Sequence, residues 1–232
     1  MNGNASMLSI IVPVLDEETS IATALFRLRP FLARGAELVV VDGGSLDGTV
    51  AAARPYASRV VIAPRGRGAQ LAAGAVAAAG TALVFLHADT ELPDDADRLI
   101  AAALASRAWG RFDVAIAGGH PVLAVVAAMM NLRSRLTGIA TGDQAMFMTK
   151  AAYAAAGGVP DIALMEDIAL SKRLKRIGRP ACLKAKVTTS GRRWQRHGVA
   201  RTIFLMWSLR FLYWAGAPPD LLARWYGYRP RG

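Results

Sequence analysis

The sequence predicts an α/β fold built on a mostly parallel central sheet, and three observations point there. Short runs rich in Val, Ile and Leu at residues 8–15, 37–41, 59–63 and 82–86 alternate with stretches of helical length. Alternation at this spacing yields parallel strands joined by right-handed crossovers. The runs also end in carboxylates and turn formers: Asp16-Glu17-Glu18, Asp42-Gly43-Gly44 and His87-Ala88-Asp89. In an open α/β sheet that carboxyl edge is where ligands bind.

Residues 8–15, LSIIVPVL, read as the first buried strand, β-branched in its middle. The acids that follow suit the positive end of a helix dipole, and Ile21, Leu25, Leu28 and Leu32 keep a helical stripe that Pro30 must bend or end. Residues 37–41 form the second strand. The next eight, DGGSLDGT, make a tight loop, because three glycines and two aspartates have no place in a core segment. A short helix and a third strand at 59–63 follow. Residues 64–80, PRGRGAQLAAGAVAAAG, join a basic glycine loop to an Ala-rich helix, with Arg65, Arg67 and Gln70 projecting from the loop and first turn. The GxG here lacks the rest of a dinucleotide fingerprint; its small residues serve either a phosphate or close packing on the sheet.

Residues 82–86 are a strand buried on both faces, and Pro93 marks the start of a helix over residues 93–106. A strand at 111–117 precedes an apolar segment of helical length, 121–132. Residues 143–148, DQAMFM, alternate as a strand does, and Thr149 caps a helix over 150–156. Glu166-Asp167 opens a helix that ends at Gly178, and a further strand covers 181–187. The last apolar helix, residues 199–214, carries Arg201 and Arg210 on opposite sides and is not cleanly amphipathic.

Totals narrow the function classes. The chain has 28 Lys and Arg against 17 Asp and Glu, a net charge of +11, which favours anionic partners: nucleotide phosphates, acidic lipid or nucleic acid. One cysteine, Cys182, excludes a disulfide framework and a cysteine-rich metal site, and fits a reducing cytoplasm. No secretory signal opens the chain, and no uncharged apolar run is long enough to span a bilayer.

Two acidic positions are candidates for chemistry. Asp89 stands just past the carboxyl end of an interior strand, where a carboxylate either caps the turn or holds a divalent cation with a bound phosphate. Glu166-Asp167 either favours a helix N-terminus or supplies a general base.

The motifs VPVLDEE (12–18), VDGGSLDGT (41–49), GRGAQLAAG (66–74), FLHADT (85–90), GDQAMF (142–147) and MEDIALSKRLKR (165–176) resemble, in that order, those of family 2 glycosyltransferases. In wording they are most similar to small bacterial enzymes of arsenosugar-biosynthesis type. The resemblance implies an inverting hexosyltransferase-like enzyme with the GT-A fold: a single Rossmann-like nucleotide-binding domain, residues 1–195, followed by a C-terminal apolar helical extension, 196–232. It implies a nucleoside-diphosphate-sugar donor held by Pro13, Glu17, Asp42, Gly43, Arg65, Gln70 and Ala88. Asp89 would be the metal ligand for Mg²⁺ or Mn²⁺, with His87 replacing the first carboxylate of the family's Asp-x-Asp; imidazole there would favour Mn²⁺. Asp167, with Glu166, would be the catalytic base. Asp143, Gln144, Arg193 and Trp194 would meet the donor sugar or acceptor.

Two rival readings are a sugar nucleotidyltransferase and a non-catalytic nucleic-acid or anion-binding protein. The first wants a Gly-rich loop ending in Lys after the first strand, where this chain has LDEETS. The second wants one basic stripe with stacking aromatics, whereas Arg is dispersed here; no nucleic-acid partner is expected. The aromatic C-terminal helix is expected to meet a membrane surface on the inner face of the plasma membrane, a second subunit in a homodimer, or its own domain, with 121–132 offering a partner surface.

Overall fold

The computed structural model describes residues 7–192, 194 and 198–228. Its strands are β1 (Leu8–Val14), β2 (Glu37–Asp42), β3 (Arg59–Ile62), β4 (Ala82–Phe85), β5 (Thr90–Glu91), β6 (Trp109–Ala117), β7 (Phe147–Thr149) and β8 (Ala181–Ser190). They form one sheet in the order β3-β2-β1-β4-β7-β6-β8-β5. Pairing is parallel from β3 to β4 and between β6 and β8; β7 and β5 run antiparallel to their neighbours. The mostly parallel α/β fold read from the sequence is therefore the one observed.

Helices cover both faces, which is why the inner strands are continuously apolar rather than alternating. Ile10, Val12, Leu38, Val40 and Val84 point to one side. There they meet Ile21 and Leu25 of α1 (Glu18–Phe26), Phe31 of α2 (Arg29–Ala33) and Ile100 of α5 (Ala96–Leu104). Ile11, Val39, Val41, Leu83 and Phe85 point to the other. They meet Leu71 and Ala75 of α4 (Arg67–Ala77), Ala152 of α7 (Lys150–Ala155), and Leu170 and Leu174 of α8 (Glu166–Ile177). A period of two thus feeds two separate cores from one sheet. The short α3 (Thr49–Ala53) buries Ala53 on the α1 side.

Gly74 lets α4 lie directly on the sheet. A β-carbon there would overlap Cγ2 of Ile11 and come within 2.9 Å of Cγ2 of Val41. Helix α6 (Val122–Thr137) is pinned to β6 through Asn131, whose Oδ1 accepts the Val114 N–H at 2.8 Å while its Nδ2 donates to the Val114 carbonyl at 3.0 Å.

Several local expectations are corrected. The 143–148 segment is not a strand: Gly142–Gln144 is a 3₁₀ turn, Ala145 has φ +43°, and strand pairing begins only at Phe147. Buried Gln144 accepts from the Thr141 N–H at 3.2 Å, and this local bond wins over the alternation. The helix expected from Pro93 starts at Ala96. Helix α6 continues five residues beyond Leu132, to Thr137.

The C-terminal segment forms α9 (Val199–Trp214) and α10 (Pro219–Tyr226). Leu209, Leu222 and Ala223 close a third core with Leu164, Met165 and Ile168. The extension thus covers the start of α8 with its inner face, rather than the 121–132 surface expected from sequence. No helix among the described residues is long and apolar enough to cross a membrane.

Candidate active site

The carboxyl ends of β1, β2 and β4 converge with the N-terminus of α8. Two loops line the first part of this edge and are laced together. Asp16, at φ +52°, accepts the Leu46 N–H on Oδ1 at 2.9 Å, and its own N–H donates to Ser45 Oγ at 2.9 Å. The Glu17 N–H donates to Thr49 Oγ1 at 2.7 Å, and the Glu17 carboxylate takes the Ser20 hydroxyl. Pro13 is half-buried in β1, opposite Val41 of β2.

Asp42 is buried and accepts the Gly44 and Ser45 N–H groups, each at 2.9 Å, together with the Ser45 hydroxyl. These bonds close the turn that follows β2. Gln70 is corrected more sharply. Its side chain is buried, and Nε2 donates to the Val14 carbonyl at 2.7 Å and the Val41 carbonyl at 2.9 Å. It clamps the ends of β1 and β2 and packs under Gly43, where a β-carbon would lie 3.0 Å from the amide. A buried amide with both donors engaged positions this edge and does not reach into the cleft. Arg65 is exposed.

Past β4, Ala88 is half-buried and Asp89 is exposed. The Asp89 carbonyl accepts the Ser190 N–H at 3.1 Å, and its Oδ1 lies 3.5 Å from the Thr90 hydroxyl. No cluster of three His, Cys, Asp or Glu side chains arranged for a metal occurs among the described residues. One exposed carboxylate does not make an all-protein site. It does suit Mg²⁺ or Mn²⁺ carried mainly by phosphate oxygens. His87 is not a second ligand: its Nδ1 lies 3.3 Å from Asp143 Oδ1, and its Nε2 packs so closely on Gly142 that a β-carbon there would overlap it.

Around this imidazole lies the acidic centre. A small pocket is lined by Arg67, His87, Gly142, Glu166 and Asp167, with Phe85 and Leu170 at its base. Asp167 Oδ2 accepts the Gly142 N–H at 2.8 Å, and Oδ1 the Ile168 N–H at 2.7 Å. Glu166 is buried and sits 3.7 Å from Arg67 Nη1. Burial and the charge of Asp167 push the Glu166 carboxyl above its ordinary range, against the pull of Arg67. Asp143 goes the other way. Burial would raise it, but the His87 hydrogen bond and the charges of His87, Arg67 and Arg210 hold it at about 2. The pocket thus sets a buried Glu166 against Asp167, with Asp143 paired to His87 at its side.

Gln144 is withdrawn from the expected donor and acceptor contacts: it is fully buried and reaches Asn131 Oδ1 at 3.4 Å, tying the turn to α6. Trp194 is half-buried, and Arg193 lies outside the described residues. The extension supplies residues that sequence reasoning did not place at the site. Tyr213 of α9 feels burial first and then the charge of Asp167, both raising its phenol, while its ring receives the Lys172 ammonium at 5.0 Å. Tyr226 and Tyr228 also lie near Arg67. Their aromatic type in a basic tail was the available signal.

Residues 9–121 match the family described as Glycosyl transferase family 2. Solved structures extend the likeness in fold to about four fifths of the chain. TarS from S. aureus in complex with UDP-GlcNAc is 21% identical with a TM-score of 0.66, over 79% of this chain and 58% of that one. The mannosyltransferase PcManGT from Pyrobaculum calidifontis with GDP-Man and Mn²⁺ is 19% identical with a TM-score of 0.61, over 79% and 56%. Glucosyl-3-phosphoglycerate synthase from M. tuberculosis with Mg²⁺ and uridine-diphosphate is 20% identical with a TM-score of 0.56, over 79% and 70%. The fold is thus of the GT-A glycosyltransferase type. The chain spans 65% and 60% of the first two solved chains that it matches. Among curated proteins no sequence matches.

Proposed function

We propose that this protein is an inverting glycosyltransferase that moves a sugar from a nucleoside-diphosphate donor to an acceptor hydroxyl. The observation that carries the reading is the pocket beside β4, where Arg67, His87, Glu166 and Asp167 meet at the ligand-binding edge of the sheet. The edge formed by Pro13, Glu17, Asp42, Gly43 and Ala88 receives the nucleotide. Asp89 would hold Mg²⁺ or Mn²⁺, and the ion would supply charge neutralisation to the diphosphate. Asp167, oriented by the Gly142 N–H, takes the proton of the acceptor hydroxyl as it attacks the anomeric carbon. Buried Glu166 and Arg67 fix the start of α8 beneath it. Residues 1–195 form the catalytic unit and 196–232 its cover. The HADT and GDQA wording supports a place among small bacterial enzymes of arsenosugar-biosynthesis type.

Calorimetric titration with UDP, GDP, CDP and dTDP, with and without Mn²⁺, tests the reading. One nucleotide should bind in a metal-dependent way. Asp89→Ala should remove the metal dependence, while Asp167→Asn should keep binding and lower turnover about 10²–10⁴-fold. Equal loss of nucleotide binding in both variants refutes this division of roles.

The outer helix faces support attachment to an anionic membrane surface from the cytoplasmic side. Phe204, Trp207, Phe211 and Trp214 form a 3-4-3 stripe on α9 that is 61–77% exposed, with Arg201 and Arg224 exposed on the same extension. Aromatic residues flanked by arginine suit the interface of acidic lipid. Sedimentation with phosphatidylserine vesicles should capture the wild type and lose Trp207→Ser; a stable dimer that hides the stripe in solution would replace this reading.

A further inference from the structure

Two arginines near the pocket have no counterpart in the chemistry described so far. Arg133 projects from α6 and Arg210 from α9. Nε and Nη2 of Arg133 and Nε of Arg210 are sealed from solvent and find no hydrogen-bond partner among the described residues. Elsewhere the fold pairs a buried guanidinium with a carboxylate, although Arg111 Nε also lacks a hydrogen-bond partner among the described residues. Arg111, fully buried, pairs with Asp113 and donates to the Asn131 carbonyl at 3.2 Å, and Arg135 closes on the same Asp113. Among the described residues neither Arg133 nor Arg210 has such a carboxylate. The nearest acids are engaged: Asp143 with His87 at 3.3 Å, and Asp167 with the Gly142 N–H at 2.8 Å.

The two guanidinium groups also oppose each other. Burial, then the charge of Arg210, lowers Arg133 to about 10, with Asp167 partly compensating and Arg111 adding to the repulsion. Arg210 in turn contributes to the field at Asp143. Packing places the pair beside the acidic centre: Leu209, next to Arg210, packs with Met165 and Ile168 around Asp167, and Asn131 of α6 accepts from Gln144, next to Asp143, at 3.4 Å. The pair is supplied by α6 and the C-terminal cover rather than by the loops after β1 and β2. Paired, partly desolvated cations without an anion are costly, and planar guanidinium forks match phosphate and carboxylate oxygens.

We propose that Arg133 and Arg210 bind an anionic group, a phosphate or a carboxylate, carried by the acceptor close to the hydroxyl that Asp167 deprotonates. The word acceptor rests on the transferase reading; the anion site itself does not.

Inorganic phosphate is the probe, compared with chloride at matched ionic strength, on the full chain. Thermal unfolding should show a rise of roughly 3–6 °C in wild-type Tm at phosphate ten times its Kd. The rise should persist with the nucleoside diphosphate that binds best and Mn²⁺ at saturation. Arg133→Gln and Arg210→Gln should each lose the response, and Arg210→Gln should melt higher than the wild type without phosphate, because an unpaired buried charge is gone. Arg210→Lys should keep a weakened response, about tenfold lower in affinity. No phosphate effect in the wild type, or an undiminished one in both Gln variants, overturns the site. Displacement of phosphate by the nucleotide overturns the acceptor assignment and gives the arginines to the donor diphosphate. An arginine-dependent phosphate response in a protein that binds no nucleotide keeps the anion site and removes the transferase reading.

Discussion

Replacing Gln70 with Leu separates a clamp from a ligand. The side chain keeps its size but loses the donors to Val14 at 2.7 Å and Val41 at 2.9 Å. The Val14 carbonyl retains the Gly43 N–H at 3.0 Å, so its loss is partial. At about 1 kcal/mol for each neutral hydrogen bond, the expected cost is about 2 kcal/mol. For a chain of this size that corresponds to a Tm drop of about 4–8 °C. In urea, with a slope near 2–3 kcal/mol/M, the midpoint falls by roughly 0.7–1 M. Differential scanning calorimetry and urea titration read both quantities. Affinity for the nucleotide found by calorimetry should weaken only a few-fold, because the clamp orients the edge without touching the ligand. An unchanged Tm with a tenfold or greater loss of affinity would refute the clamp and return Gln70 to the nucleotide.

Gly74→Ala forces a methyl group into Ile11 and Val41, two buried β-branched side chains that cannot rotate away. Overpacking of about 1–3 kcal/mol, offset by up to about 1 kcal/mol of helix propensity, leaves a net loss of about 1–2 kcal/mol, visible as a lower urea midpoint. Asp143 gives a pH signature. Its folded pKa, about 2, lies below the ordinary 3.8, so its stabilisation is present above 3.8 and disappears as pH falls towards 2. The stability difference between wild type and Asp143→Asn, followed by urea unfolding, should therefore shrink across that window; a difference that grows on acidification contradicts the His87–Asp143 pairing.

The acidic positions at the strand ends were legible because they follow local patterns: an apolar run, a turn former, a carboxylate. Their hydrogen-bond employment was not. Asp42 closing its own turn and His87 turning from Asp89 to Asp143 depend on where neighbouring loops arrive. Gln144 looked like a ligand contact because it follows Asp143, yet its amide ties the turn to α6, thirteen residues earlier in the chain.

By itself, the sequence determined the layered α/β architecture, the alternation of strands and helices, the strand end at which Asp89 emerges, and the helix that Glu166-Asp167 opens. Each of these follows from periodicity and turn chemistry within about ten residues, where local sterics and burial dominate. Only the tertiary structure decided that Gln70 bridges β1 and β2 and that α9 and α10 close over the start of α8. It alone also brought Arg133 and Arg210 together beside the acidic centre. Those contacts join segments far apart in the chain, and pairing across such distances is set by the packing of whole elements against one another, which no local pattern encodes.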